Sequence, residues 1–222
     1  MKQHPAENKH PKQDFQVERI AFFSDAVFAI AITLLVIEFK SPLVTKETTE
    51  QELWKEVVAM KFKLVSVVLS FSLVINYWIR HHTLFKYIHN YNKQIIFGNM
   101  ITLLPIIFFP FTTSFLYESL GVNNAVAAIP YRLFLLNNVL AGLVTYYFYW
   151  LLMKKHKQMS YPMENEDRKL FEGKLMILTL SFILVLGISF ISTEQSVWGL
   201  LPFGVYNFWN RFINKKKTAK HA

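Results

Sequence analysis

Six blocks of mainly apolar residues, separated by shorter charged connections, leave this chain little choice of environment. A helix rising 1.5 Å per residue needs roughly 20 such residues to cross a bilayer core. The blocks run from about Glu18 to Phe39, Phe62 to Trp78, Gln94 to Phe115, Ala125 to Met153, Phe171 to Ile191 and Val197 to Ile213. The last is short and interrupted by Gly199, Pro202 and Gly204, so it reads as a sixth span or as a helix lying in the interface. An all-α integral membrane protein is the fold class that follows, and an apolar share of 53% over 222 residues agrees with it.

The connections set the expected organisation. Residues 1–17 are polar, hold two prolines and read as a mobile N-terminal tail. Residues 18–213 form the six-helix domain, and residues 214–222 are a basic C-terminal tail. Within residues 40–60, the amphipathic stretch Glu52–Val58 predicts a short interfacial helix leading into the second span. Ile79 to Lys86 reads as a basic aromatic junction after that span, and Tyr117 to Asn124 as a turn. Pro105 and Pro110 bend the third span, and the cluster Tyr146 to Trp150 resembles an interfacial aromatic belt.

Lysines and arginines concentrate in the connections after the second, fourth and sixth spans, and none stands in the turns after the third and fifth. The first outer segment, with Lys46, Lys55, Lys61 and Lys63 matched by as many glutamates, is the exception. The positive-inside rule then places both termini in the cytoplasm. The formal charge of +9 is thereby read as membrane orientation and headgroup contact rather than nucleic-acid binding. Cysteine is absent, which excludes disulfides, thiol catalysis and cysteine-ligated metals. No nucleophile elbow, catalytic carboxylate pair or glycine-rich phosphate loop is present, so no enzyme is expected.

The first span is the exceptional one. It carries Arg19, Ser24 and Asp25 in its opening turns. A charge at the centre of a span costs at least about 2.5 to 3.5 kcal/mol on insertion scales, so Asp25 requires a protein partner or a water-filled path. Arg19 and Asp25 are six residues apart and cannot pair along one helix.

Arg19-x-x-x-Phe23-Ser24-Asp25 followed by an Ala/Ile/Leu run, with Trp78-x-x-His81-His82 at the end of the second span, resembles the signature of the transmembrane protein 175 family. These are endolysosomal potassium channels with shorter bacterial relatives. The likeness extends over nearly the whole chain. It implies a homotetramer of six-helix chains in the lipid bilayer, with the first helix of each lining a central pore. A single-repeat chain implies a bacterial plasma membrane. The function implied is passive, potassium-selective conduction through an apolar constriction, with proton permeation as a further expectation. No cofactor is implied beyond the permeant potassium ion. The matching constriction positions are Ile30, Leu34 and Ile37, with Thr33 as a neighbouring polar layer.

Helical geometry is compatible with that assignment. At 100° per residue, Ile30, Leu34 and Ile37 fall within an arc of about 60°, with Thr33 about 60° to one side of Ile30. Asp25 projects about 140° from Ile30 and turns into its own subunit. Its candidate partners are Trp78, His81, His82 and Arg19. The resemblance casts Arg19, Phe23, Ser24, Asp25, Trp78, His81 and His82 as a structural network that fixes the rotation of the pore helix.

Blander or rival readings accompany each feature. An Ile/Leu stripe on a span is ordinarily packing or lipid-facing surface. His81 and His82 diverge by about 100° on a helix, which argues against a shared metal. Glu38 is either solvated or part of a carboxylate ring at the outer mouth, and Asn76, Asn99, Asn137 and Asn138 are expected to bond between helices. The rival function is a proton-coupled secondary transporter using Asp25, and a non-conducting scaffold ranks third. Transporters favour broken helices and repeated halves. Here the first span reads as continuous and Asp25 stands near its beginning.

Overall fold

A computed structural model of the protein describes residues 11–39, 41–42, 44–119 and 124–196. Five helices carry the fold: α1 (Pro11–Ile37), α2 (Glu50–Phe85), α3 (Lys93–Glu118), α4 (Asn124–Trp150) and α5 (Asn165–Ser189). All five are long and apolar enough to cross a membrane. The expected sixth block, Val197–Ile213, and the tail 214–222 lie outside the described residues.

Several boundaries differ from expectation. α1 is already helical at Pro11, the first described residue, within the stretch expected to be a mobile tail. The interfacial helix expected before the second span does not exist as a separate element. Glu50 to Phe85 form one helix of 36 residues, about 54 Å long at 1.5 Å per residue. Its start is fixed by a capping box: the Glu52 amide donates to the Thr49 hydroxyl, and the Thr49 amide donates to Glu52 Oε2. The presumed junction Ile79 to Lys86 is the last two turns of the same helix and its cap.

α3 starts at the Asn92 cap, whose Oδ1 accepts from the Ile95 amide at 2.9 Å. It continues through Pro105 and Pro110 to Glu118, two residues into the stretch expected to turn. α4 passes into one π-helical turn, Leu151–Lys155. The charged segment beyond contributes the first turns of α5, whose Glu166 and Asp167 complement the positive end of the helix dipole.

α3 and α4 form the centre of the protomer. α3 packs on α4, α1 and α2, and α5 packs against α4. In the most apolar stretch of α3, 56% of residues are buried within the protomer, against 22% in α1 and in α2. α1 is therefore a peripheral helix with a broad uncovered face. Close approach elsewhere depends on small residues, as expected where lipid supplies no hydrophobic contrast. At Gly142 of α4 a Cβ would overlap the Thr179 side chain of α5, and at Gly98 it would come within 2.7 Å of Leu151 Cδ2.

Of the four span asparagines, Asn99 and Asn137 bond between helices. Asn137 Nδ2 donates to the Pro105 carbonyl at 3.0 Å. Asn76 and Asn138 depart from expectation, because their side chains bond within their own helices, to Arg80 and to the Phe134 carbonyl.

Candidate functional site

One face of α1 is built for attachment. Ser24, Phe28, Ala31 and Leu35 recur at helical spacing and are all buried in the protomer. Ser24 belongs to a polar chain spanning three helices. The His81 ring meets Asn99 Oδ1 through Nε2 at 2.7 Å, and Asn99 Nδ2 donates to Ser24 Oγ at 2.9 Å. Ser24 Oγ donates to the Ile20 carbonyl at 2.9 Å. Ser24 and Asn99 are both 0% exposed, so any broken link in this chain strands a buried polar group at about 1–3 kcal/mol. His81 is wedged among Phe28, Phe85 and Phe148, with ring centroids 4.7 to 6.0 Å away. Its rotamer is thereby fixed.

Asp25 turns into its own protomer, as the helical geometry requires. The partner left open by the sequence is Trp78, whose indole Nε1–H donates to Asp25 Oδ1 at 2.9 Å. His82 stacks on Trp78 at 5.4 Å between centroids rather than touching Asp25. The signature residues therefore divide. Ser24, Asp25, Trp78 and His81 are bonded between helices, and His82 supports Trp78 by stacking.

Arg19 and Phe23 stay outside that network. Both are exposed and line a shallow cavity with Gln16, Tyr91 and Met100. Among the described residues Arg19 has no ion-pair partner, so it does not neutralise Asp25 within the protomer.

The opposite side of α1 presents the ridge singled out from the sequence. Ile30 and Ile37 are 57% and 68% exposed, and Leu34 and Thr33 are exposed too. Thr33 donates its hydroxyl hydrogen to the Ile30 carbonyl at 2.8 Å, which leaves its oxygen as the ridge's only polar side-chain atom.

At the far end of α1, Glu38 is half-buried rather than freely solvated. The Tyr117 hydroxyl donates to its carbonyl, and Ser114 Oγ lies 3.4 Å from its Oε2. Glu38 is thus tied to the end of α3.

Two features go beyond the sequence reading, which expected Asn99 to bond between helices without naming its partners. Asn99 joins Ser24 and His81 as the hub of the polar chain, although 75 residues separate it from Ser24. Arg132 of α4 donates from Nη2 to the Ser189 carbonyl at 2.8 Å and lies 4.4 Å over the Phe190 ring. It closes the C-terminal end of α5. A lone cation inside an apolar block was the available signal.

Comparison with known proteins places these residues in a family context. The profile of the family described as endosomal/lysosomal potassium channel TMEM175 matches residues 19–110, a segment that contains Arg19, Ser24, Asp25, Trp78, His81 and Asn99. A potassium channel of Streptomyces collinus is 28% identical over 181 residues, which is 81% of this chain and 85% of that protein. A potassium channel of Chamaesiphon minutus is 34% identical over 110 residues, 50% of this chain. A third, from a Chryseobacterium species, is 31% identical over 109 residues. In these last two cases the matched stretch spans about half of the relative, 53% each.

Among solved structures, the crystal structure of a lysosomal potassium-selective channel TMEM175 homologue from Chamaesiphon minutus superposes with a TM-score of 0.68 at 25% identity. It covers 86% of this chain and 95% of that one. A variant of the potassium channel MtTMEM175 gives a TM-score of 0.58 at 20% identity, covers 97% and 100%, and shows likeness of fold alone.

Proposed function

We propose that this chain, which belongs to the transmembrane protein 175 family, is one subunit of a homotetrameric, potassium-selective channel whose conduit is walled by α1. Passive conduction suits relatives that are potassium channels rather than enzymes. In this reading Ile30, Leu34 and Ile37 form stacked apolar rings, with Thr33 beside them. An ion crossing a narrow apolar ring finds no oxygens to replace its water. Potassium sheds water at lower cost than sodium, which favours it, and the same rings can close by dewetting. In this reading each chain crosses the membrane six times, both termini are cytoplasmic and the host membrane is a bacterial plasma membrane.

The observation that supports this most is the two-sidedness of α1. Its inner face is pinned by Asp25–Trp78 and by the Ser24–Asn99–His81 chain, while the Ile30, Leu34 and Ile37 ridge is left uncovered by its own protomer. The pins fix the helix rotation and hence the direction in which the ridge points. Asp25 spends an acceptor on a tryptophan N–H, a structural use of the carboxylate that leaves the transporter alternative without support from geometry or relatives.

Purified protein in liposomes tests the function. Potassium flux should follow the electrochemical gradient, reverse near the potassium equilibrium potential and persist when the proton gradient is collapsed. Flux that stops with the proton gradient, or no potassium preference, would overturn the proposal.

A further inference from the structure

A cavity of about 500 Å³ lies between the end of α2 and the beginning of α5. Asn76, Arg80, Thr83 and Lys86 line it from α2 and its cap, spaced by three or four residues along one stripe. Asp167, Leu170, Phe171 and Lys174 line it from one stripe of α5 in the same way. α2 packs on α1 and α3, and α5 on α4, with no extensive contact between α2 and α5. The cavity is the gap that this arrangement leaves at one end of the bundle.

Its lining is divided in chemistry. Three cations, Arg80, Lys86 and Lys174, stand against one carboxylate, Asp167. Arg80 is only 7% exposed, and its Nε donates to Asn76 Oδ1 at 2.8 Å, which fixes the guanidinium plane. Ile79, Leu170 and Phe171 supply an apolar wall beside the charges. The N-terminal end of α5 adds the positive end of its dipole on the same side. A rigid guanidinium and two ammonium groups suit a phosphate. The apolar wall suits a phosphate that carries acyl chains, because a free anion gains nothing from it. Basic pockets between spans near the membrane surface are the expected form of a headgroup site.

We infer that this cavity binds the phosphate of an anionic phospholipid from the leaflet at that end of the bundle. Lys86 and Lys174 hold the phosphate beside Arg80, and the first acyl carbons run along Ile79, Leu170 and Phe171. The site is independent of conduction and stands or falls apart from it.

The test is thermal melting of the purified full chain in neutral detergent, with phosphatidylglycerol, phosphatidylcholine and inorganic phosphate added in separate titrations. A ligand that binds only the folded protein raises Tm by mass action. Phosphatidylglycerol should raise Tm, and the other two should not. Lys86→Gln and Lys174→Gln should each weaken the apparent affinity roughly 5-fold, and together roughly 30-fold. Lys55→Gln, on the far part of α2, should leave it unchanged. Neither Lys86 nor Lys174 is buried, so the variants should melt near the wild type without lipid. The inference is overturned by any of three results: no shift specific to phosphatidylglycerol, an equal shift in the double variant, or an equal shift with inorganic phosphate.

Discussion

Trp78 donates its indole N–H to the Asp25 carboxylate at 2.9 Å, across the contact between α2 and α1. This bond holds an otherwise costly charge about four turns into α1, and it fixes the direction of everything further along that helix. Removing the donor should therefore cost more than one ordinary bond. Trp78→Phe keeps the ring but leaves the carboxylate without that donor, and should destabilise the protein by about 1–3 kcal/mol. Thermal melting in detergent reads the loss, and the assembled fraction on size-exclusion chromatography should fall with it. Asp25→Asn keeps an acceptor for the indole and should cost less than Asp25→Ala.

The Ser24–Asn99–His81 chain makes a separate prediction about coupling. Asn99→Leu strands two buried partners at once, and should cost about 2–4 kcal/mol, more than Ser24→Ala. In a double-mutant cycle the two changes should be non-additive by about 0.5–3 kcal/mol. Additive losses would mean that the chain does not act as a unit.

Arg132→Met tests the closure of α5. The substitution removes the donor to the Ser189 carbonyl and the cation over Phe190. The expected cost is about 1–3 kcal/mol. Backbone hydrogen exchange should rise first in the last turn of α5, and an increase spread evenly over the bundle would speak against a local cap.

Gly142→Ala tests the closest helix approach. The new Cβ meets the Thr179 side chain, and overpacking of this kind costs about 1–3 kcal/mol. Pairing it with Thr179→Ala should recover part of the lost stability, whereas Thr179→Ala alone should not stabilise the wild type.

Much of this was legible in the sequence because helical spacing is a local property. The separation of Asp25 from Ile30 by about 140° follows from 100° per residue alone, and it assigns one to the protomer and the other to the outside. The continuity of α2 was not legible. Lys55, Glu56, Lys61 and Lys63 interrupt the apolar pattern and suggested a boundary, whereas in an unbroken helix the first three are exposed and Lys63 pairs with Glu118 of α3. The same local view marked Asn99 as a bond between helices but not its partners Ser24 and His81, which depend on where α3 packs against α1 and α2. Arg132 was masked by the apolar average of its block, and its partner lies at the end of another helix, 57 residues away.

The rings themselves should respond to chemistry. Ile30→Asn introduces an amide oxygen where Ile30 offers only hydrocarbon, and so should lower the preference for potassium over sodium. Bilayer recordings with asymmetric potassium and sodium would show the reversal potential moving toward zero. An unchanged reversal potential would remove Ile30 from the constriction.

The most direct measurement uses the absence of cysteine from the chain. Ile37→Cys and Val36→Cys differ by one residue, hence by about 100° around α1, and both positions are exposed in the protomer. Potassium flux into liposomes is followed before and after a membrane-impermeant thiol reagent. The reagent should block flux through Ile37→Cys and leave wild type and Val36→Cys unchanged. Block at Val36→Cys instead, or full flux through a labelled Ile37→Cys channel, would contradict a conduit walled by this ridge.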